Sequence, residues 1–155
     1  MILVAALLHA FYALCVSFLA DHKRVALDGF SKLALGAYHA IWATWIIESF
    51  WRIKPVSSAQ VLMGIVFFLY GAFWAIWAMA SNPFFSPNLC RPDKIVQEGA
   101  YVYIRHPAYC GFTMMSGGTF LILGHASGAI FLLVYWAMLL YRVKRENELL
   151  YSKIV

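Results

Sequence analysis

The feature that most limits what this chain can fold into is its division into long apolar runs separated by polar connectors. Each run approaches the ~20 residues that a helix needs to cross ~30 Å of hydrocarbon. Inside a bilayer every backbone N–H and C=O must be satisfied within its own segment, so each run is predicted to be a helix. Five such spans are expected: Ile2 to about Ala20, Leu33 to Trp51, Val61 to Ala80, Pro107 to about Gly124, and Gly128 to beyond Tyr141. Charged residues make up only 12% of the chain and apolar ones 63%. A soluble domain carries roughly 25% charged residues, so this chain has too little polar surface to face water. The expected fold is all-α, a polytopic transmembrane helical bundle of about five spans. It closes in a C-terminal helical hairpin and carries a long cytosolic loop between the third and fourth spans. A length of 155 residues allows a single membrane-embedded domain. Residues 1–80 supply three N-terminal spans, and residues 81–155 supply the loop, the hairpin and the C-terminal segment.

The connectors and the span interiors add detail. The first run lacks a basic leader and is longer than a signal-peptide core, so it is read as a retained span. His9 and His39 lie within spans and are read as bonded to neighbouring helices rather than as proton relays. Glu48 precedes Arg52 by one helical turn, which suits an interfacial pair. Pro55 ends the second span, and Val56 to Gln60 is expected to turn. Gly64, Gly71, Ala75 and Ala78 share one stripe of the third span, where small residues let another backbone come close. Cys15, Cys90 and Cys110 are odd in number and widely spaced, which indicates neither a disulfide framework nor a zinc site.

Charge sets the orientation. With five spans, one face of the membrane holds the N-terminus, Arg52, Lys54 and the 124–127 turn. The other face holds the remaining ten of the twelve basic residues, in the connectors and the C-terminal segment. Basic loops stay in the cytosol, so the second face is cytosolic. The net charge of +5 therefore serves orientation and does not point to nucleic acid. The 81–108 loop and the C-terminal segment meet on that cytosolic side.

One stretch stands out against this apolar background: Glu98-Gly-Ala-Tyr-Val-Tyr-Ile-Arg-His-Pro-Ala-Tyr-Cys-Gly111. It combines a turn glycine, tyrosine faces, an imidazole and a helix start at Pro107. Free N–H groups at such a start can bind a carboxylate. Polar clusters at the edge of hydrocarbon are functional candidates. Arg142 and Glu146 lie four apart, on one face of the last helix. A tight turn at Gly124-His-Ala-Ser127 should return that helix alongside the fourth span, setting Arg142 and Glu146 beside His106 and Tyr109.

Arg105-His-Pro-Ala-Tyr-Cys-Gly111, followed after one hairpin by Arg142 and Glu146, resembles the isoprenylcysteine carboxyl methyltransferase family and its phospholipid methyltransferase relatives. Phe84-Phe-Ser-Pro87 and the Lys94-Ile-Val to Tyr101 stretch look like the same family, so the resemblance covers roughly residues 82–150. It implies S-adenosylmethionine as methyl donor and a lipid-like acceptor. By position it assigns Lys94, Ile95, Val96, Tyr101, His106, Pro107, Ala108, Tyr109 and Glu146 to the cofactor, and Arg142 to the acceptor carboxylate and to catalysis alongside Glu146. Two departures are visible. The family's pair of adjacent glutamates is Glu146-Asn147 here, and the Phe-Gly and aromatic tail common beyond that point does not follow.

The chemistry of these side chains agrees with the implication. A carboxylate can bind ribose hydroxyls or offset a sulfonium charge, and tyrosine faces attract cations. Backbone groups at Ile95 and Val96 can read an adenine edge. A carboxylate acceptor is already ionised at neutral pH and needs no general base. It needs in-line placement and loss of water, and an arginine can orient it through paired hydrogen bonds. The expected activity is carboxyl O-methylation of a C-terminal isoprenylcysteine, with the lipid bilayer and a prenylated protein or peptide, or a lipid acceptor, as partners. The expected location is a multi-pass membrane protein of the endoplasmic reticulum or the bacterial inner membrane, with its catalytic loop and C-terminus in the cytosol. Alternatives are methylation of a phospholipid or other small amphiphile, a non-catalytic scaffold or degenerate homologue, and a nicotinamide-dependent membrane reductase.

Overall fold

A computed structural model describes residues 2–21, 56–83, 85, 95–124 and 126–151, with isolated helical positions between 43 and 51. Among the described residues there are four α-helices and one 3-10 turn, and no strand. The helices are α1 (Ile2–Asp21), α2 (Ser58–Ser81), α3 (Pro107–Leu123) and α4 (Ala126–Tyr151), with the 3-10 turn η1 at Gly99–Val102. The all-helical reading holds. The second expected span, residues 33–51, lies largely outside the described residues, as do Cys15's side chain, His39, Arg52, Cys90, Lys94 and His125. Among the described residues one helix, α2, is long and apolar enough to cross a membrane, with mean hydropathy 2.0 over an 18-residue window.

Local chemistry sets the helix ends. Ser57 caps α2, its Oγ accepting from Gln60 N–H at 3.2 Å. The helix therefore starts at Ser58, three residues before the expected Val61, because a serine cap satisfies an end N–H that a plain turn would leave open. Gln60 also faces inward, its Nε2 donating to the Leu121 carbonyl at 3.1 Å. Pro107 opens α3, where a missing N–H costs nothing. Gly124 closes it in the left-handed conformation, φ 66°, with its N–H bonded to Phe120 O at 2.9 Å. A Cβ there would come within 2.6 Å of Val56 Cγ2. Gly124→Ala is expected to lower stability by about 1–2 kcal/mol, since an L-residue resists that conformation. Thermal unfolding in detergent would measure it.

The core is a backbone-to-backbone seam between α2 and α3. Gly64 and Gly71 on α2 lie opposite Gly118 and Gly111 on α3, so the helices run antiparallel. A Cβ built on Gly71 would sit 2.6 Å from Gly111 O, and one on Gly118 would sit 2.6 Å from Gly64 O. The small-residue stripe expected on this helix is thus a packing face, with Gly64, Gly71, Ala75 and Ala78 all buried. Phe68, Ala72, Ala75, Met79 and Met115 form one buried cluster around it. α1 closes one side through Ala5, which packs with Ile122 and Leu123. The His9 ring lies 5.9 Å from that of Phe68.

α3 and α4 form the expected antiparallel hairpin. Trp136 Nε1 donates to Ser116 Oγ at 3.0 Å midway along it. Nearer its open end, Tyr109 meets Arg142 and His106 meets Asn147. The hairpin thereby delivers the polar end of α4 to the start of α3.

Candidate functional site

The loop entering the site is docked on the end of α2. Ser81 Oγ donates to Trp77 O at 2.7 Å and accepts from Ala100 N–H at 3.4 Å. Gly99 adopts φ 58°, and a Cβ on it would collide with Ser81. That close approach is why glycine stands at this turn. Ala100 is fully buried beside Ala78 and Ala108. η1 is held by the Tyr101 N–H to Glu98 O bond at 3.1 Å and the Ile104 N–H to Ala100 O bond at 3.3 Å. The described part of the loop around Gly99 and Ala100 therefore packs against the end of α2.

Tyr101 is half-buried, and its hydroxyl accepts from Asn82 Nδ2 at 3.2 Å. Burial raises the pKa of its phenol above the ordinary range; the Asn82 bond lowers it in part, and the Glu146 charge adds to the rise. Tyr101 is thus a neutral hydroxyl at physiological pH.

Five polar side chains converge where α3 starts and α4 ends. Arg142 Nε donates to Tyr109 Oη at 2.6 Å and to Glu146 Oε1 at 3.3 Å. The Tyr109 hydroxyl donates to the same Glu146 oxygen. The other oxygen, Glu146 Oε2, lies 3.7 Å from His106 Nδ1. His106 Nε2 lies 3.0 Å from Asn147 Oδ1. The side chains are largely shielded, at 17% exposure for His106, 16% for Arg142 and 23% for Glu146. The Arg142 guanidinium carbon stands 6.0 Å from the centre of the Tyr109 ring, at the edge of cation–π range. An isolated surface ion pair would have both partners in water, where it is worth ~0–1 kcal/mol. This pair is instead bound to a phenol and an imidazole from another helix.

The sequence-derived candidates separate into three groups. His106, Tyr109, Arg142 and Glu146 come together, with Pro107 and Ala108 buried beneath them at the start of α3. Tyr101 sits on the docked loop. Ile95 is 54% exposed and Val96 half-buried, in the chain leading to η1, and neither belongs to the polar cluster. Lys94 lies outside the described residues. Two participants were not among the candidates. Asn82 follows α2 directly, and no local pattern ties it to Tyr101. Asn147 reads in sequence only as a departure from a glutamate pair, yet it contacts the His106 ring.

A largely shielded carboxylate, a neutral phenol, an imidazole and a guanidinium thus meet at one end of a helical hairpin. Residues 61–152, more than half of the chain, match the isoprenylcysteine carboxyl methyltransferase (ICMT) family, and the chain belongs to that family. Within it, the protein-S-isoprenylcysteine O-methyltransferase of Schizosaccharomyces pombe (strain 972 / ATCC 24843) is 39% identical over 59 residues. That similarity covers 37% of this chain and spans about a quarter of the relative's length, 25%. No solved structure matches the chain at a significant level.

Proposed function

We propose that this protein is an integral membrane methyltransferase that carboxyl-methylates a C-terminal isoprenylcysteine with S-adenosylmethionine as donor. The observation that carries the reading is the linked set His106, Tyr109, Arg142 and Glu146, drawn from the start of α3 and the last turns of α4. Family membership supports the reaction class. The residues fit the donor: Glu146 offers an anionic oxygen, Tyr109 and Tyr101 offer ring faces and hydroxyls, and the His106 side chain makes no capping bond at the α3 start.

S-adenosylmethionine, when bound, supplies an electrophilic methyl group on a sulfonium. Glu146 would hold the donor's hydroxyls or offset its charge. Tyr109, gripped by Glu146 and Arg142, presents its ring as a fixed wall. Arg142 orients the acceptor carboxylate, and no proton has to be removed from that nucleophile. The shielded setting strips water from the reacting groups, which strengthens every charge interaction there. The family resemblance assigns Lys94, Ile95 and Val96 to the donor as well.

The same reading extends to the whole chain. It forms a single domain of about five spans, with residues 1–80 contributing three of them. Exposed Leu62, Met63, Phe67 and Phe73 on α2 and Ile130, Leu133 and Leu140 on α4 suit contact with lipid tails. The loop and the C-terminus face the cytosol, at the endoplasmic reticulum or the bacterial inner membrane.

The test is methyl transfer from labelled S-adenosylmethionine to an S-farnesylated cysteine in detergent or nanodiscs, with phosphatidylethanolamine as the rival acceptor. The expected product on the farnesylcysteine is a base-labile methyl ester. Label on the lipid amine would reassign the acceptor. Donor binding without transfer to either would refute the catalytic reading.

A further inference from the structure

The two tyrosines of the site spend their hydroxyls differently. The Tyr109 hydroxyl is committed on both sides: it donates to Glu146 Oε1 and accepts from Arg142 Nε at 2.6 Å. The Tyr101 hydroxyl accepts from Asn82 Nδ2 at 3.2 Å. A phenol has one O–H to give as well as lone pairs with which to receive. An oxygen held by an N–H turns its own proton away from that N–H. Tyr101 therefore has a proton to give, whereas the Tyr109 proton is already spent on Glu146.

The surroundings fix where the Tyr101 oxygen stands. Its backbone N–H is bonded to Glu98 O at 3.1 Å within η1, and its ring packs on the buried Ala78, Ala100 and Ala108 cluster. Rotation of the hydroxyl about its C–O bond is the freedom that remains, and a bond to that oxygen restricts it. Asn82 is well placed to supply the bond. It is the cap residue at the C-terminal end of α2, and its backbone carbonyl accepts from Phe85 N–H at 3.0 Å. The Glu146 charge also acts on this phenol and, with burial, keeps it protonated.

We infer that Asn82 is a positioning residue for S-adenosylmethionine: by donating to the Tyr101 oxygen, it keeps the phenol O–H free to donate to an oxygen of that ligand. The inference rests on the methyltransferase reading above. The ligand's carboxylate and ribose oxygens are the acceptors such a phenol can serve. Holding the O–H in place before binding reduces the ordering that binding requires.

A double-mutant cycle separates this role from a merely structural one. Asn82→Leu is close in size and removes the bond. It is expected to weaken calorimetric binding of S-adenosylhomocysteine in nanodiscs about fivefold, the worth of one neutral hydrogen bond. Tyr101→Phe keeps the ring and is expected to cost about as much. The double variant should bind no more weakly than Tyr101→Phe alone, because Asn82 then has no hydroxyl to position. Losses that multiply in the double variant, or wild-type affinity in Asn82→Leu, overturn the inference. The bond itself is read without ligand, from the tyrosine Fermi doublet in the Raman spectrum, with the Tyr101→Phe spectrum subtracted to isolate Tyr101. Wild type is expected to show a phenol that accepts. Asn82→Asp, whose carboxylate can only accept, is expected to turn it into one that donates. A wild-type phenol that already donates to position 82, or a spectrum unchanged in Asn82→Asp, also overturns the inference, even where Asn82→Leu fails to fold. Wild-type protein that binds no S-adenosylhomocysteine removes the methyltransferase reading and this role with it. Binding by wild type that is unchanged in Asn82→Leu removes the role alone.

Discussion

Exchanging Glu146 for glutamine is expected to weaken S-adenosylmethionine binding by about tenfold to a hundredfold while the helices stay assembled. The substitution keeps the shape of the side chain and removes its charge. Three partners feel the change: the Tyr109 hydroxyl, Arg142 Nε and His106 Nδ1. A hydrogen bond to a charged group is worth ~1.5–3 kcal/mol where a neutral one is worth ~1. A cationic donor loses its nearest counter-charge as well. The residue is 23% exposed, so water screens part of the effect and the loss falls toward the lower end of that range. Calorimetric titration with the donor or its demethylated product gives the affinity, and a thermal melt checks the fold. His106→Ala should weaken the same affinity. Unchanged binding in both variants would remove these residues from the donor site.

The second large effect concerns the α2–α3 seam. Gly111→Ala places a methyl 2.5 Å from Gly71 O and 2.6 Å from Ala75 N, both backbone atoms of α2. Backbone cannot swing aside as a flexible side chain can, so the helices must separate. Overpacking of this kind costs ~1–3 kcal/mol. Gly71→Ala intrudes on the same space from the other side, so the double variant should cost less than the two single costs together. Gly117 is the control. It lies on the same helix with nothing within 4 Å of an added Cβ, and Gly117→Ala should be neutral or stabilising by ~0.4–1 kcal/mol. Unfolding midpoints in detergent would rank the three. Equal responses at positions 111 and 117 would mean that the seam is not close-packed. Because α3 carries His106 and Tyr109, a separated seam should also weaken the donor site, and Gly111→Ala tests both at once.

Much of the arrangement is legible in the sequence. The Pro107 start and Gly124 stop of α3 follow from what those residues do to a backbone, and the structure places both ends as expected. The α2 stripe at Gly64, Gly71, Ala75 and Ala78 was visible as a periodicity. The four-residue step from Arg142 to Glu146 put both on one face, and they pair. The hairpin was required by the shortness of the turn. The start of α2 lies three residues before the position expected from the apolar run, because a serine at position 57 can belong to a turn or to a cap, and only the bond from Gln60 N–H decides between them.

What the sequence by itself determined are properties that repeat along one helix or act within one turn: apolar length, small-residue spacing, proline and glycine ends, and the shared face of Arg142 and Glu146. Tertiary structure alone decided which of these faces meet and in what register. It set Gly71 against Gly111, Tyr101 against Asn82, and both oxygens of Glu146 against partners on α3 and α4. It also turned Asn147 from an apparent defect in a motif into the partner of His106. The physical reason is range. Helical periodicity binds residues three, four or seven apart, whereas a contact between positions 106 and 147 depends on how two surfaces slide until their backbones and side chains fit.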